Sequence, residues 1–294
     1  MNLNTLRTLT VVAEIGSFVD AAQRLNMTLS AVSMQMKTLE TLLDADLFDR
    51  GFRPPQLTPL GRRVARHART VLAAYDDLVG LCQSPDTIKG DFRIGFVPTS
   101  SVRLLPGFLV RVRARFPDAH FRIETGLSDD LLARLKAGTL DIAVVTGGDD
   151  VPRTMRTYPV SHEALVFCLP PHAADWSIED CMARISFIHF MPHTGIGRLI
   201  AQQLDRMAAT PSDVIVLDRV DAVAECVRAG VGFSILPEPD IRRFATDTII
   251  LRPMTPEPVT RDLVLACVAG SRLDAHAGLL AQAFAGGINE VADA

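Results

Sequence analysis

The N-terminal 43 residues carry a succession of short helix signals, and this feature constrains the fold more than any other. Apolar residues recur at helical spacing up to Gly16, which predicts the end of a first helix. Ser17 stands three residues before Asp20, the spacing of an N-cap followed by a carboxylate at the positive end of a helix. The sequence therefore predicts a short second helix from Phe18 to about Leu25, followed by a tight turn.

A third helix is predicted from Leu29 to about Leu43, with Thr28 as its N-cap. An apolar stripe on one side leaves the other side to hydroxyls, one methionine and one cation. Those exposed positions are Thr28, Ser30, Ser33, Met34 and Lys37. Such groups suit phosphate oxygens, base edges and a thymine methyl, so the pattern indicates a DNA-reading helix-turn-helix. An ordinary three-helix cluster with a solvated polar face is the alternative.

The segment after the third helix predicts a two-stranded wing. Leu47–Arg50 is followed by six residues containing two prolines and then by Leu57 and Thr58. Arg53 is expected near the tip of the wing, where an arginine can enter a minor groove.

Residues 1 to about 88 resemble the DNA-binding module of the LysR-type transcriptional regulators. The resemblance is carried by Leu6, Ala13, Gly16, Ser17, Phe18, Ala21, Ala22, Leu25, Ala31–Glu40, Leu47–Arg50 and Leu57–Gly61. Together with the helix pattern it implies a set of DNA-contacting candidates. These are Ser17, Thr28, Ser30, Ala31, Ser33, Met34, Lys37, Arg50 and Arg53.

Three positions depart from the family pattern. Leu29 and Ser30 stand where the family usually has Gln-Pro, and Met34 stands where an arginine often reads a base. A methionine cannot donate a hydrogen bond to guanine. We therefore predict that the contact at Met34 is apolar or absent and that affinity depends on phosphate contacts and the wing.

A long helix is predicted from Thr58, with Pro59 at its first position. Apolar residues then alternate at spacings of four and three, which is typical of a coiled-coil seam and predicts dimerisation. The seam residues are Val64, Ala68, Val71, Tyr75, Leu78 and Cys82. A core helix of one domain is the alternative. Off the seam, Arg62, Arg63, Arg66 and Arg69 either meet phosphates or keep the helix soluble.

The rest of the chain alternates strands and helices after a linker at residues 84–90. This alternation predicts a predominantly parallel sheet covered on both faces. The body resembles the effector-binding domain of the same family, through Leu104–Pro106, Leu135–Ala143 and Val227–Pro237. The resemblance implies a two-lobed α/β domain built like a periplasmic binding protein, with a cleft between the lobes.

The predicted domains follow from these segments. A winged helix-turn-helix domain is expected at 1–58, a dimerisation helix and hinge at 59–90, and an effector-binding domain at 91–294. Within the last, lobe I is predicted at 91–160 and 265–294, and lobe II at 161–264.

The loops after strands are the expected ligand-binding positions, because helix N-termini there point free N–H groups at the pocket. The candidates are Thr99, Ser100, Ser101, Ser128, Thr146, Arg219 and Val220. Together they favour a small polar anion, with Arg219 pairing with its carboxylate. Alternatively the hydroxyls only cap their helices and Arg219 points to solvent.

The formal net charge of −4 hides an asymmetry. Residues 1–70 hold nine Arg plus Lys against six Asp plus Glu, a balance of +3, so the remainder carries −7. Only the N-terminal part has an electrostatic reason to approach DNA. No apolar run is long enough to span a bilayer and no signal peptide is recognisable, so a cytoplasmic location without membrane contact is expected.

No catalytic motif, metal-ligand spacing or cofactor motif is found, which predicts a non-enzyme without a cofactor. The expected partners are double-stranded DNA, a small effector, further copies of the chain in a dimer or tetramer, and RNA polymerase. The five cysteines contain no CxxC and are expected to be reduced core thiols. Two alternatives stay open: a redox-responsive regulator, and a ligand-binding protein or enzyme with a vestigial DNA module.

Overall fold

The N-terminal part of the chain folds as three short helices, a small hairpin and one long helix. The computed structural model describes residues 2–52, 54–80, 88–245, 248–254, 258–271 and 273–285. The N-terminal elements are α1 (Leu3–Ile15), α2 (Phe18–Arg24), α3 (Leu29–Leu43), β1 (Phe48–Asp49), β2 (Gln56–Leu57) and α4 (Pro59–Gly80). The three helices predicted before residue 44 are confirmed to within a residue or two.

Two glycines determine the end of α1 and the packing of the first turn of α4. Gly16 has a φ of 73° and donates its N–H to the carbonyl of Val12 at 2.9 Å, which ends α1. Gly61 lies so close to the chain before β1 that a Cβ would stand 2.1 Å from the carbonyl oxygen of Leu47. Any side chain at Gly61 would therefore push the first turn of α4 off the hairpin.

The predicted dimerisation seam divides along α4. Ala68 is buried in the N-terminal core, and Val64 and Leu72 pack against that core. Tyr75 and Leu78 are exposed. The prediction that the whole seam is buried by a partner helix was therefore wrong for its first two residues, because α1 already covers them. Cys82 lies outside the described residues.

The C-terminal body contains nine strands, seven α-helices and one short 3-10 helix (Pro171–Ala173) among its described residues. The strands are β3 (Gly90–Phe96), β4 (Ala119–Thr125), β5 (Ile142–Thr146), β6 (Met155–Leu169), β7 (Ser186–Phe190), β8 (Val214–Leu217), β9 (Gly232–Pro237), β10 (Ile250–Pro253) and β11 (Thr260–Val268). The helices are α5 (Pro98–Arg115), α6 (Ser128–Lys136), α7 (Ile178–Arg184), α8 (Gly195–Arg206), α9 (Val220–Arg228), α10 (Glu238–Ile241) and α11 (Asp274–Ala285).

The strands run in the order β4-β3-β5-β11-β6-β9-β7-β8, with β10 paired to β6. β3 is parallel to β4 and β5, and β7 is parallel to β8 and β9. β6 and β11 are antiparallel to each other and to their outer neighbours. These two long strands cross from one half of the body to the other.

Two separate hydrophobic cores lie on either side of this crossing. The first contains Phe96, Phe108 and Phe284, and the second contains Phe187 and Phe233. Each half thus buries its own apolar residues, as expected of a two-lobed domain.

Three expectations about the body need correction. The sheet is mixed rather than predominantly parallel, because β6 and β11 run antiparallel between the lobes. The first nine residues of β6 were not predicted, since their exposed polar residues mask the strand pattern, and β10, a strand of four residues, was also missed. Ile88, placed in the linker by composition, is 3% exposed and belongs to the first core.

Candidate DNA-reading surface and ligand cleft

Two predicted DNA-contacting hydroxyls serve as helix caps. Ser17 Oγ accepts from the backbone N–H of Asp20 at 3.3 Å, and Thr28 Oγ1 accepts from that of Ala31 at 3.2 Å. Thr28 also lies 3.0 Å from the hydroxyl of Ser30. Ala31 is half-buried beside the cap. These contacts fix the start of α2 and α3, so the four residues position the reading helix whether or not they touch DNA.

The outer face of α3 presents Leu29, Ser33, Met34 and Lys37 to solvent. Val32, Met36 and Leu39 on the opposite face are buried in the N-terminal core. Within the described part of the chain, Ser33 and Lys37 have no side-chain hydrogen bond or ion pair. Their polar groups are therefore available to an external partner.

A buried carboxylate that sequence reasoning missed joins α3 to the hairpin. Glu40 Oε1 accepts from the backbone N–H groups of Leu47 at 2.8 Å and Phe48 at 3.0 Å. Its Oε2 accepts from Arg50 Nη2 at 2.8 Å. Arg50, a DNA-contact candidate, is thus held in place on the same side as α3. Arg53, the other wing candidate, lies outside the described residues.

The C-terminal body contains a cavity of about 480 Å³ between its two lobes. Three of the predicted ligand-binding residues line it: Thr99, Arg219 and Val220. Further residues around it were not predicted; among these are Arg103, Phe190, Asp218, Asp240 and Arg243.

Four charged residues form a cluster between the lobes. Arg261, on β11, donates from Nε to Glu163 Oε2 at 3.0 Å and from Nη2 to Asp240 Oδ2 at 2.8 Å. Arg103, on α5, pairs with Glu163, which also accepts from Ser161 Oγ at 2.8 Å. Glu163, Asp240 and Arg261 are all buried. Burial raises the pKa of Asp240 above its usual value, although the neighbouring guanidinium of Arg261 acts in the opposite direction.

This cluster reaches the cavity at two points. Arg261 Nη1 donates to Thr99 Oγ1 at 3.0 Å. Arg103 Nε is buried, lies 3.7 Å from Asp240 Oδ1, and has no hydrogen-bond acceptor within the part of the chain that the structure describes. The wall of the cavity therefore holds a buried donor that makes no hydrogen bond, although the Asp240 carboxylate lies within ion-pair distance.

Arg219, predicted to pair with a ligand carboxylate, is already paired with a carboxylate of the chain. Its Nε donates to Asp221 Oδ1 at 3.0 Å, and its side chain is 70% exposed. The hydrogen bond raises the pKa of Arg219, and the guanidinium holds the pKa of the Asp221 carboxyl below its usual range. A ligand carboxylate at Arg219 would have to share it with Asp221.

The other four predicted ligand residues do not line this cavity. Ser100 is fully buried and donates to the carbonyl of Val97 at 2.9 Å, and Ser101 donates to that of Pro98 at 2.8 Å. Ser128 and Thr146 are joined to each other by a 3.3 Å hydrogen bond from the backbone N–H of Thr146.

The region around Thr146 is closed by the second lobe. A Cβ on Gly195 would lie 3.3 Å from Thr146 Cβ, so α8 of lobe II begins against the end of β5. Arg198 of the same helix donates to Asp150 of lobe I at 2.5 Å. The structure thus separates the seven candidates into three that share a cavity and four that do not.

The missed cluster left one signal in the sequence. Glu163 and Arg261 stand just before the apolar C-terminal runs of their strands. Charges of opposite sign in two such strands are compatible with a buried pair, but the pairing of the strands is not apparent from either one.

Comparison with known proteins decides the family. Residues 3–62 match the model of the bacterial regulatory helix-turn-helix protein, lysR family, and residues 85–288 match that of the LysR substrate binding domain. The chain belongs to the LysR family. The resemblance drawn from the sequence is thereby confirmed, and the chain is a LysR-type DNA-binding transcriptional regulator.

Several LysR relatives align along most of their own length. A probable hydrogen peroxide-inducible genes activator from Mycobacterium xenopi is 33% identical over 167 residues, covering 56% of this chain and 88% of the relative. The regulator CfxR from Cupriavidus necator is 29% identical over 242 residues, covering 80% of this chain and 75% of the relative. A full-length OxyR variant from Pseudomonas aeruginosa superposes with a TM-score of 0.73 at 20% identity, over 97% of this chain and 94% of that one. At that identity the superposition shows the fold alone.

Proposed function

We propose that this LysR-type regulator binds dyad operator DNA as a homodimer or homotetramer and that a small carboxylate-bearing metabolite in the interlobe cavity modulates the binding. The observation that carries the effector part is the buried Nε of Arg103 in the cavity wall, which makes no hydrogen bond to any described residue, the Asp240 carboxylate lying 3.7 Å away. A ligand carboxylate would supply that acceptor as a charge-assisted hydrogen bond.

Helix geometry adds to the case for an anion. α5 and α9 both begin at this cavity, and neither N-cap residue makes a side-chain capping hydrogen bond, although Asp221 accepts from the N–H of Ala222 in the first turn of α9. Their first-turn N–H groups and positive dipole ends favour a bound anion. Asp218 and Asp221 oppose a highly charged ligand, so a monocarboxylate or a zwitterion fits better than a polyanion.

Effector binding would act on DNA binding through the angle between the two lobes. Because the cavity walls come from both lobes, a ligand stabilises one angle between them and shifts the population of quaternary states. The change in spacing between DNA-binding modules would then alter DNA bending and the access of RNA polymerase. We expect a protein with this activity to act in the cytoplasm and to carry out no catalytic step. Among the described residues no helix is both long and apolar enough to cross a membrane.

The test is an effector response measured on operator DNA. Small carboxylates are first screened for a rise in the melting temperature of the full chain, and hits are assayed for changed operator affinity by fluorescence anisotropy. We expect Arg219→Ala to lose most of the response while binding DNA normally, and Arg206→Ala, an exposed arginine on α8, to retain it. An unaltered response in Arg219→Ala would reject its role.

A vestigial DNA module gives a different result. The chain would then bind a metabolite yet show no salt-dependent preference for any dyad DNA. That outcome would favour a ligand-binding protein or enzyme over a regulator of transcription.

A redox-responsive regulator is the second candidate, favoured by the peroxide-inducible activator among the relatives. Peroxide reacts with a thiolate. Burial raises the pKa of Cys168 and Cys181, and burial next to Asp274 raises that of Cys267 to about 12. Three of the four described cysteines therefore stay as unreactive thiols at neutral pH. Replacing all five cysteines should leave the response unchanged; a peroxide response that disappears with them would establish the redox reading.

A further inference from the structure

Three large apolar side chains stand exposed around the reading helix. Val19 on α2, Leu29 at the start of α3 and Met34 on α3 are 51%, 47% and 67% exposed. They line one surface depression of about 550 Å³ together with residues of α3 and the hairpin. We call Val19, Leu29 and Met34 the apolar reading patch. Grouped apolar side chains on a surface mark a place that another molecule covers.

The position of the patch indicates which molecule that is. Residues 3–62 match the helix-turn-helix of the LysR family, and the motif consists of α2 and α3. In such a motif the second helix, here α3, lies in the major groove with its N-terminal residues at the base edges. Leu29 is the first residue of that helix, and Met34 lies just over one turn further. Leu29 and Met34 therefore meet base pairs when the domain docks on DNA, and Val19 borders them on α2.

The chemistry of the face limits what it can read. A G·C pair offers hydrogen-bonding groups to the major groove, whereas an A·T pair also offers the apolar C5-methyl of thymine. The patch has no side-chain donor or acceptor able to pair bidentately with guanine. Ser30 is already close to the Thr28 hydroxyl, and Arg50, which also lines the depression, is paired with Glu40. Ser33 and Lys37 are the polar α3 side chains of the depression that have no partner within the described residues.

We propose that the apolar reading patch selects A·T pairs in each operator half-site by covering thymine C5-methyl groups. Met34, the most exposed member, is the principal specificity residue, and Ser33 and Lys37 supply hydrogen bonds to phosphates or base edges. The inference extends the expectation that Met34 makes an apolar contact or none, and it is independent of the effector.

The experiment removes single methyl groups from the DNA. The full-length protein is used to select operators from a random pool, and each thymine of the half-site is then replaced in turn by deoxyuridine, which lacks only the methyl. We expect about a fourfold loss of affinity per contacted methyl, which corresponds to the free energy of burying one carbon. In Met34→Ala, at least one of these substitutions should have no further effect.

A matched variant separates base reading from general attraction. Lys37→Ala should weaken thymine and uracil operators equally and reduce the salt slope of binding by about one. Met34→Arg should shift selection toward guanine at one position. Since Met34 and Lys37 are exposed, neither change should lower the melting temperature.

Three outcomes would overturn the proposal. The first is equal affinity for thymine and uracil operators at every position, and the second is a selected half-site without A·T pairs under α3. The third is a Met34→Ala variant that changes its oligomeric state and not its DNA affinity, which would make the patch a protein contact.

Discussion

Two carboxylates each accept hydrogen bonds from several donors and so hold together segments that are distant along the chain. Glu40 binds two backbone N–H groups and Arg50 in the N-terminal part, and Glu163 binds two arginines and a serine in the body. Both are buried. Because each carboxylate satisfies groups that water cannot reach, its loss costs more than one hydrogen bond.

Glu40→Ala should destabilise the N-terminal part by about 1–3 kcal/mol, since the N–H groups of Leu47 and Phe48 lose their acceptor. DNA affinity should fall with it, because the hairpin is no longer tied to α3. Hydrogen exchange at Leu47 and Phe48, together with operator binding, measures both effects. Gln23→Ala, an exposed position on α2, serves as the control, and an equal effect of the two substitutions would contradict this role of Glu40.

Glu163→Ala should cost about 3–5 kcal/mol, because it leaves Arg103 and Arg261 between the lobes with one carboxylate, Asp240. Urea unfolding followed by the fluorescence of Trp176, the single tryptophan, reports the change. The control is Glu225→Ala, which breaks an exposed ion pair with Arg228 and should cost under about 1 kcal/mol. Similar losses in the two variants would show that the cluster adds no more than a surface pair.

At the scale of elements, α4 performs two tasks along its length. Its first half packs on the N-terminal core through Ala65 and Ala68, and its second half exposes Val71, Tyr75 and Leu78. An exposed apolar stripe on a helix is stable in water when a second helix covers it. The second half of α4 is therefore where we expect the dimer contact.

Leu78→Glu should weaken self-association at least about tenfold, because each dimer loses the burial of two leucines. Sedimentation equilibrium of the full chain gives the constant. Thr70→Glu places the same charge on a different face of α4 and should leave it unchanged. If both variants dissociate alike, the stripe is not the dimer interface.

At the scale of the whole molecule, an acidic protein carries a DNA-binding part of opposite charge. The balance of +3 in residues 1–70 against −7 elsewhere orients the N-terminal part toward the phosphates. The acidic remainder should repel DNA and limit non-specific binding by the body.

Operator affinity should fall steeply between 50 and about 200 mM salt, with the logarithm of the constant linear in the logarithm of salt concentration. Effector binding in the interlobe cavity should depend on salt much less, because its charges are partly buried. Parallel titrations of DNA and effector check both. A salt-independent operator constant would rule out phosphate contacts as the main source of affinity.

The helices of the N-terminal part could be predicted from the sequence because their signals are local. Ser17, Thr28 and Gly16 act within four residues along the chain, and the burial of Leu9, Val32 and Leu39 follows from a period of 3.6 residues. The same is not true of the cleft. Thr99 and Arg219 share a cavity although 120 positions separate them, and Ser100, next to Thr99, is turned into the core.

The sequence by itself determined the family, the helix-turn-helix with its caps, the long fourth helix and a two-lobed α/β body, because spacing and motif residues carry that information. Only the tertiary structure decided that Glu163, Asp240, Arg103 and Arg261 meet between the lobes, that Glu40 anchors the hairpin, and that Val19 joins Leu29 and Met34 on one surface. The physical reason is the same in each case: the groups come from elements distant along the chain, and their energies depend on burial and on partners that local periodicity does not specify.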